Sequence, residues 1–277
     1  MTIAIPKEIH DGLVMAGVCG HWDEGLNYFQ EDQIVGCFLQ GSQNYNLDTP
    51  ESDIDTKLIV TPTFAQLGLN KAPVSTTHVR DNNEHIDFKD IRLYIQCFRK
   101  QNLNFLEILF TPFRILNPLY RDEWNRLVAA REEIAHMNPW KAVKTMKGIA
   151  ENKYEHMKHP FPSKIETLEK YGYDPKQLCH LVRVWDYMSR YIQGDTYANC
   201  LIPDPNTRDF LMRIKQGAYS AEVAESLANF YLNEIENIAN SFCAKTADQE
   251  NGKMQELLED VCLQIMKISM KKELEKV

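Results

Sequence analysis

Short apolar runs separated by polar turns characterise the first 115 residues. Residues 34–39 form an uncharged run rich in Val, Ile and Phe that ends at Gly41, a pattern typical of a buried strand. A second run, residues 53–61, ends at Pro62 and also predicts a strand. The remaining elements predicted here are a hairpin formed by residues 75–80 and 84–88, and helices at residues 7–30 and 90–99.

Beyond about residue 115 the strand signals stop and apolar positions recur at helical spacing. Asn138 and Asp174 each precede a proline, which places a capping side chain before a residue suited to the first helical turn. Ser220 can cap another helix. An apolar stripe at residues 254–268 predicts a last helix that packs against other helices, with a homodimer seam as the alternative.

These two patterns predict two domains of different class. We expect an α+β fold in which residues 1–115 form a domain with a mixed β-sheet and residues 116–277 form an α-helical domain. Because ligand pockets favour domain interfaces, the cleft between the two domains is the expected site.

Composition and charge exclude some classes of function for this chain. The 277 residues are 44% hydrophobic, which is ample for a buried core, and 31 basic against 39 acidic residues give a net charge of −8. That charge argues against a broadly basic surface for long nucleic acid, but a local basic groove is compatible with it. No apolar run approaches the ~20 residues of a membrane span, and no signal peptide is evident. Seven cysteines without Cys-x-x-Cys spacing favour a reducing cytoplasm.

The stretch with the clearest chemistry joins Gly41-Ser42 to an Asp-x-Asp pair. Asp53 and Asp55 open the second predicted strand and would share one of its faces. Two such carboxylates suit Mg²⁺, which prefers oxygen ligands and leaves coordination positions for phosphate oxygens. Gly41 allows close backbone approach to a phosphate, and Ser42 offers a hydroxyl and an amide.

A third carboxylate is expected on the next strand. Ile86 and Phe88 would face the core, which leaves Asp87 on the opposite face. Two unit charges ~4 Å apart repel by about 4 kcal/mol at an effective dielectric near 20, so three clustered carboxylates call for a divalent metal. Asp90 is the competing candidate, although it can simply cap the helix that follows.

A basic row lies in the predicted helical domain. Lys176, His180 and Arg183 are spaced i, i+4 and i+7 and therefore share one helix face, which could meet a phosphate across the cleft. The structural alternatives are an ion pair for Arg183 and a hydrogen-bonded inner position for His180.

The chain resembles the DNA polymerase β-like nucleotidyltransferase superfamily. The resemblance rests on a hydrophobic strand, Gly41-Ser42, and Asp53-Ile54-Asp55 after a gap of ten residues. The fuller string is similar to the predicted nucleotidyltransferases associated with RNA repair, over roughly residues 35–240. The matching segments are Thr49-Pro50-Glu51-Ser52-Asp53-Ile54-Asp55, Asp87, residues 102–110 with Glu107-Ile108-Leu109-Phe110, and Tyr173-Asp174-Pro175-Lys176 through His180 to Arg183.

This resemblance implies a two-metal transfer of a nucleoside monophosphate from an NTP, for example ATP, with Mg²⁺ or Mn²⁺. It implies that Asp53 and Asp55 bind both metals, and that Asp87 completes one site near the attacking hydroxyl. Ser42 would hold the terminal phosphates. The acceptor could be RNA, a protein or a small molecule. A nucleotide-binding module without turnover is the alternative function.

Overall fold

The computed structural model describes residues 6–276, which form a five-stranded mixed sheet followed by a large set of helices. The strand order in the sheet is β3-β4-β2-β1-β5, with β2 and β4 parallel and the other neighbours antiparallel. The α+β class predicted from the sequence is therefore confirmed. The strands are β1 (Ile34–Gln40), β2 (Asp55–Val60), β3 (Ser75–Val79), β4 (His85–Asp90) and β5 (Arg114–Leu116).

The helices follow the sequence signals closely. Asn138, Asp174 and Ser220 each accept a hydrogen bond from a backbone amide at the start of a helix, as predicted. The helices are α1 (Lys7–Gly25), α2 (Phe64–Gly68), α3 (Ile91–Arg99), α4 (Leu103–Leu106), α5 (Arg121–Ala129), α6 (Arg131–Ala135), α7 (Pro139–Met157), α8 (Ile165–Tyr171), α9 (Pro175–Tyr191), α10 (Tyr197–Leu201), α11 (Pro205–Lys215), α12 (Ala221–Lys245) and α13 (Gly252–Leu274).

The sheet separates two apolar cores. On one face, Leu58 and Val60 of β2 pack with Val14 and Val18 of α1. On the other face, Ile59 belongs to a core that continues through the helical half of the chain. Because side chains alternate along a strand, Lys57, two positions before Ile59, is directed to the side of the helical half.

The last helix returns to the sheet-bearing part of the chain. Its apolar stripe packs against α3 and α5, which confirms the prediction that it contacts other helices. Ser269 on α13 lies 2.7 Å from Thr61, just after β2, through their hydroxyl oxygens. The division of the chain at residue 115 stays a prediction, and the helix-side core runs across that position.

Several element boundaries differ from the prediction. Helix α1 ends at Gly25 rather than at residue 30, and β2 begins at Asp55 rather than at Asp53. Asp90 is the N-cap of α3, where its side chain accepts from the Arg92 amide. Over the described range, none of the helices is long and apolar enough to cross a membrane.

Candidate active site

A cleft of about 600 Å³ lies between the ends of β1 and β2 and the helices α7, α9 and α11. Its sheet-side wall includes Gly41, Ser42, Asp53 and Asp55. The motif that the sequence singled out therefore meets in one cavity. This volume lies within the range of small-molecule sites in proteins.

The turn after β1 is shaped by a glycine and held by two side chains. Gly41 has φ of 105°, a conformation that strains residues with a Cβ, and residues Ser42–Tyr45 continue as a short 3₁₀ turn. The Gly41 amide donates to Oε1 of Glu107 at 3.1 Å. Nε2 of Gln43 donates to the Asp53 carbonyl at 2.8 Å. The Gln43 contact ties the serine turn to the loop that carries the first aspartate.

Asp53 and Asp55 occupy different local settings. Asp53 is exposed in the loop that precedes β2, so strand alternation does not explain its position. Asp55 is the first residue of β2, and its Oδ1 lies 2.9 Å from the His85 amide nitrogen and 3.1 Å from the His85 Nδ1. His85 therefore orients the Asp55 side chain, whereas Asp53 is positioned by the loop before β2. Both carboxylates line the cleft.

The structure does not place Asp87 among the residues that line the cleft. In the parallel pair β2–β4, Asp87 stands opposite Lys57, and its Oδ2 lies 3.2 Å from the Lys57 Nζ. The same ammonium lies 4.3 Å from the centre of the Phe105 ring. Lys57 itself lines the cleft, so the partner of Asp87 reaches the cavity that Asp87 does not line.

Asp90, the competing third acid, has a structural role. It is 1% exposed, caps α3, and binds the Arg92 guanidinium through both carboxylate oxygens at 2.9 and 2.7 Å. Within residues 6–276 no three His, Cys, Asp or Glu side chains gather as a metal-binding group. Of the four acidic residues that line the cleft, Asp53 and Asp55 are the pair that could hold an Mg²⁺ whose shell is completed by water and substrate phosphates.

The helical half contributes the opposite wall, and this wall is cationic. Lys153 of α7, Lys176 of α9 and Lys215 of α11 line the cleft. Across the described chain, none of these three ammonium groups lies within ion-pair distance of a carboxylate. Lys215 instead donates to the Leu47 carbonyl at 2.6 Å and to Oγ of Ser52 at 3.3 Å.

Burial makes two of these cations, Lys153 and Lys215, costly without a counter-ion. Burial, reinforced by Arg183 and Lys176, lowers the pKa of Lys153 below its usual value. Burial also lowers the pKa of Lys215. A lowered lysine pKa means that the charged form is disfavoured where it stands. An anionic ligand bound in the cleft would remove that penalty.

The three residues of the predicted basic row on α9 lie in three different environments. Lys176 is exposed and lines the cleft. His180 also lines it, but burial and then the charge of Arg183 lower its pKa well below 6.5, so the imidazole is neutral at pH 7. Arg183 is buried, is not among the lining residues, and stacks 3.9 Å from the centre of the Tyr45 ring.

Glu107 is the buried acid of this region. It is 3% exposed, and burial raises its pKa to about 7 even though Arg183 and Lys57 act in the opposite direction. It lines the cleft, and its carboxyl accepts a hydrogen bond from the Gly41 amide, which holds the serine turn in place. The sequence placed Glu107 in a matching segment on an apolar stretch, but only the fold shows its contact with Gly41.

Sequence reasoning missed Lys57, Lys153 and Lys215. For Lys57 a signal exists, because a lysine inside an otherwise apolar strand is unusual unless it is paired. Lys153 and Lys215 carry no comparable local signal. They come from separate helices and meet only in the folded chain.

Comparisons with known proteins do not assign the chain to a family. No protein-family model matches the chain, and no curated protein matches it in sequence. A solved structure of a nucleotidyltransferase-like protein from Exiguobacterium sibiricum 255-15 is similar over 83% of this chain and 77% of its own, at 10% identity and a TM-score of 0.32. A likeness of that size assigns no family, so the interpretation of the site rests on its own chemistry.

Proposed function

We propose that the protein is a metal-dependent nucleotidyltransferase that moves a nucleoside monophosphate from an NTP to a hydroxyl of an acceptor, with release of pyrophosphate. The observation that carries this proposal is the opposition of charges across one cleft. Asp53 and Asp55, with Glu51 and the buried Glu107, line the same cleft as three lysines without carboxylate partners among the described residues. A triphosphate with a divalent cation matches both walls at once.

The two walls of the cleft would have different roles, metal binding on the acidic side and phosphate binding on the cationic side. Asp53 and Asp55 would hold the metal, which neutralises phosphate charge and activates the attacking hydroxyl. Lys153, Lys176 and Lys215 would bind the phosphates, as cations without carboxylate partners do. The Ser42 hydroxyl lines the same cleft and would donate to a terminal phosphate.

The role of Asp87 as a third metal ligand remains a prediction from the resemblance. Its pairing with Lys57 leaves Asp53 and Asp55 without the third aspartate of the predicted set, and this pairing favours the alternative function, a nucleotide-binding module without turnover. The two functions differ in whether NTP is consumed. Since the net charge is −8, a small acceptor is at least as suitable as a long RNA, whose binding depends on neutralised phosphates. We place this activity in the reducing cytoplasm.

The test is incubation with each labelled NTP, Mg²⁺ or Mn²⁺, and candidate RNA, protein and small-molecule acceptors, followed by mass spectrometry of every component. We expect one component to gain the mass of one nucleotide while pyrophosphate appears. Asp53→Asn should abolish that gain, whereas the matched control Asp23→Asn, exposed on α1, should retain it. NTP binding with no mass gain on any acceptor would favour the non-catalytic alternative.

A further inference from the structure

A loop of residues 46–54 joins the serine turn to β2 and carries Asp53. It consists of turns and irregular backbone, and it has few hydrogen bonds of its own. The Thr49 amide donates to Oγ of Ser52 at 2.8 Å, and the Ser52 amide donates to the Thr49 carbonyl at 2.9 Å. Because a loop of this kind opens easily, contacts with other elements must hold it in one conformation.

Helix α11 supplies such contacts from the helical half of the chain. Nε of Arg208 donates to the Asn46 carbonyl at 2.7 Å, and Nζ of Lys215 donates to the Leu47 carbonyl at 2.6 Å. Lys215 also donates to Oγ of Ser52 at 3.3 Å. Within residues 6–276, these are the hydrogen bonds that join the loop to the helical half. Arg208 and Lys215 are seven positions apart and therefore share one face of the helix.

Helix α11 is itself fixed in the helical half. Leu211 and Ile214 are fully buried in the core on that side of the sheet, and the helix packs against α9. Asp204 caps the helix by accepting from the amides of Asn206 and Thr207. The two cations therefore attach the loop to an element that is anchored by its own packing.

On the sheet side the loop is held at two other points. Nε2 of Gln43 donates to the Asp53 carbonyl at 2.8 Å. Oδ2 of Asp48 lies 2.8 Å from Nε2 of His10 on α1. The loop is thus connected to both halves of the chain, and the contacts with α11 are those that link it to the cationic side of the cleft.

We propose that Arg208 and Lys215 fasten this loop to α11 and that Arg208 is thereby a positioning residue for Asp53. Asn46 has φ of 56°, a conformation that few residues other than Gly and Asn adopt, and a charge-assisted hydrogen bond to its carbonyl helps to hold it. Arg208 does not line the cleft, so its role is separate from phosphate binding. The fastening concerns the chain without ligand, and only its effect on metal binding rests on the proposed function.

Hydrogen exchange of the full chain without ligand tests the fastening. We expect Arg208→Gln to speed amide exchange in peptides that cover residues 46–54 about tenfold, as for the loss of one hydrogen bond from a charged group. Arg208→Lys should restore part of the protection. The matched control Arg213→Gln, an exposed arginine on the same helix, should exchange as the unaltered protein does.

Two exchange results would overturn the proposal. One is equal exchange of residues 46–54 in Arg208→Gln and Arg213→Gln, because Arg208 would then not hold the loop. The other is a faster exchange that extends equally to peptides of α9, because Arg208 would then stabilise the fold as a whole.

Mn²⁺ binding followed by electron paramagnetic resonance tests whether the fastening positions Asp53. Arg208→Gln should weaken binding about tenfold, the lower end of effects for groups that orient metal ligands. Arg208→Lys should recover most of the affinity, and Arg213→Gln should leave it unchanged. Faster loop exchange with unchanged Mn²⁺ affinity would refute the positioning role. If the unaltered protein binds no Mn²⁺, the proposed metal-dependent function fails, whereas the exchange comparison still decides whether α11 fastens the loop.

Discussion

The two walls of the cleft differ in how the chain builds them. Most of the acidic wall comes from one continuous segment, in which Gly41 to Asp55 bring a serine turn and two aspartates together, and Glu107 joins it from the turn after α4. The cationic wall is assembled from three helices, with Lys153, Lys176 and Lys215 contributed by α7, α9 and α11. A short sequence motif therefore identifies residues of the acidic wall but not those of the cationic wall. The phosphate-binding half depends on how the helices pack.

The largest effect should come from the acidic wall. Asp55→Asn removes a carboxylate that His85 holds in place, so metal binding and turnover should both fail. We expect transfer to fall by about 10²–10³-fold or more, in line with the removal of one fixed electrostatic group. Mn²⁺ binding followed by electron paramagnetic resonance should fall in parallel. Unchanged Mn²⁺ affinity would show that the metal lies elsewhere.

The cationic wall should respond differently. Lys153→Met should weaken NTP binding about 10- to 100-fold, as expected when one charged hydrogen bond is lost. The same change should raise the melting temperature of the ligand-free protein, because burial disfavours the charged amine in the folded state. Calorimetry and thermal unfolding measure the two effects. A lowered melting temperature without ligand would contradict the idea of an uncompensated cation.

Substitution of Asp87 tests whether its carboxylate belongs to the acidic wall of the cleft. Because Lys57 holds Asp87, Asp87→Asn should lower Mn²⁺ affinity less than Asp55→Asn does. It should instead destabilise the fold by up to about 3 kcal/mol, since the 4%-exposed Lys57 loses its partner. Urea unfolding measures the loss, with Lys57→Met/Asp87→Asn as the control that removes both charges. Equal losses of Mn²⁺ affinity in the two single variants would restore Asp87 as a metal ligand.

The smallest effect concerns pH. The pKa of Glu107 is raised to about 7 in the fold, against 4.5 for the free side chain, so the folded state binds more protons between these values. Stability contributed by Glu107 is therefore lost as pH rises through that window. Glu107→Gln should flatten the fall in melting temperature between pH 5 and 8, and its amide oxygen can still accept from Gly41. Parallel melting curves for the two proteins would refute this assignment.

Local signals were sufficient for much of the fold. The buried strand β1, the hairpin of β3 and β4, and the caps at Asn138 and Asp174 were predicted from neighbours along the chain. They were predictable because strand alternation and helix capping depend on residues a few positions apart. The start of β2 was misplaced, since Asp53 belongs to a loop that the Gln43 amide holds.

The sequence by itself determined the α+β class, the elements and the Gly41-Ser42 and Asp-x-Asp positions, because hydrophobic period and turn chemistry act over short distances. Tertiary structure alone decided that Lys57 pairs with Asp87 and that Arg183 is buried beside Tyr45. It also decided that Lys153 and Lys215 line the same cleft as the aspartates. Those outcomes depend on strand register and helix packing between residues far apart in the chain. The behaviour of a charged side chain depends on the partners and the burial that folding gives it.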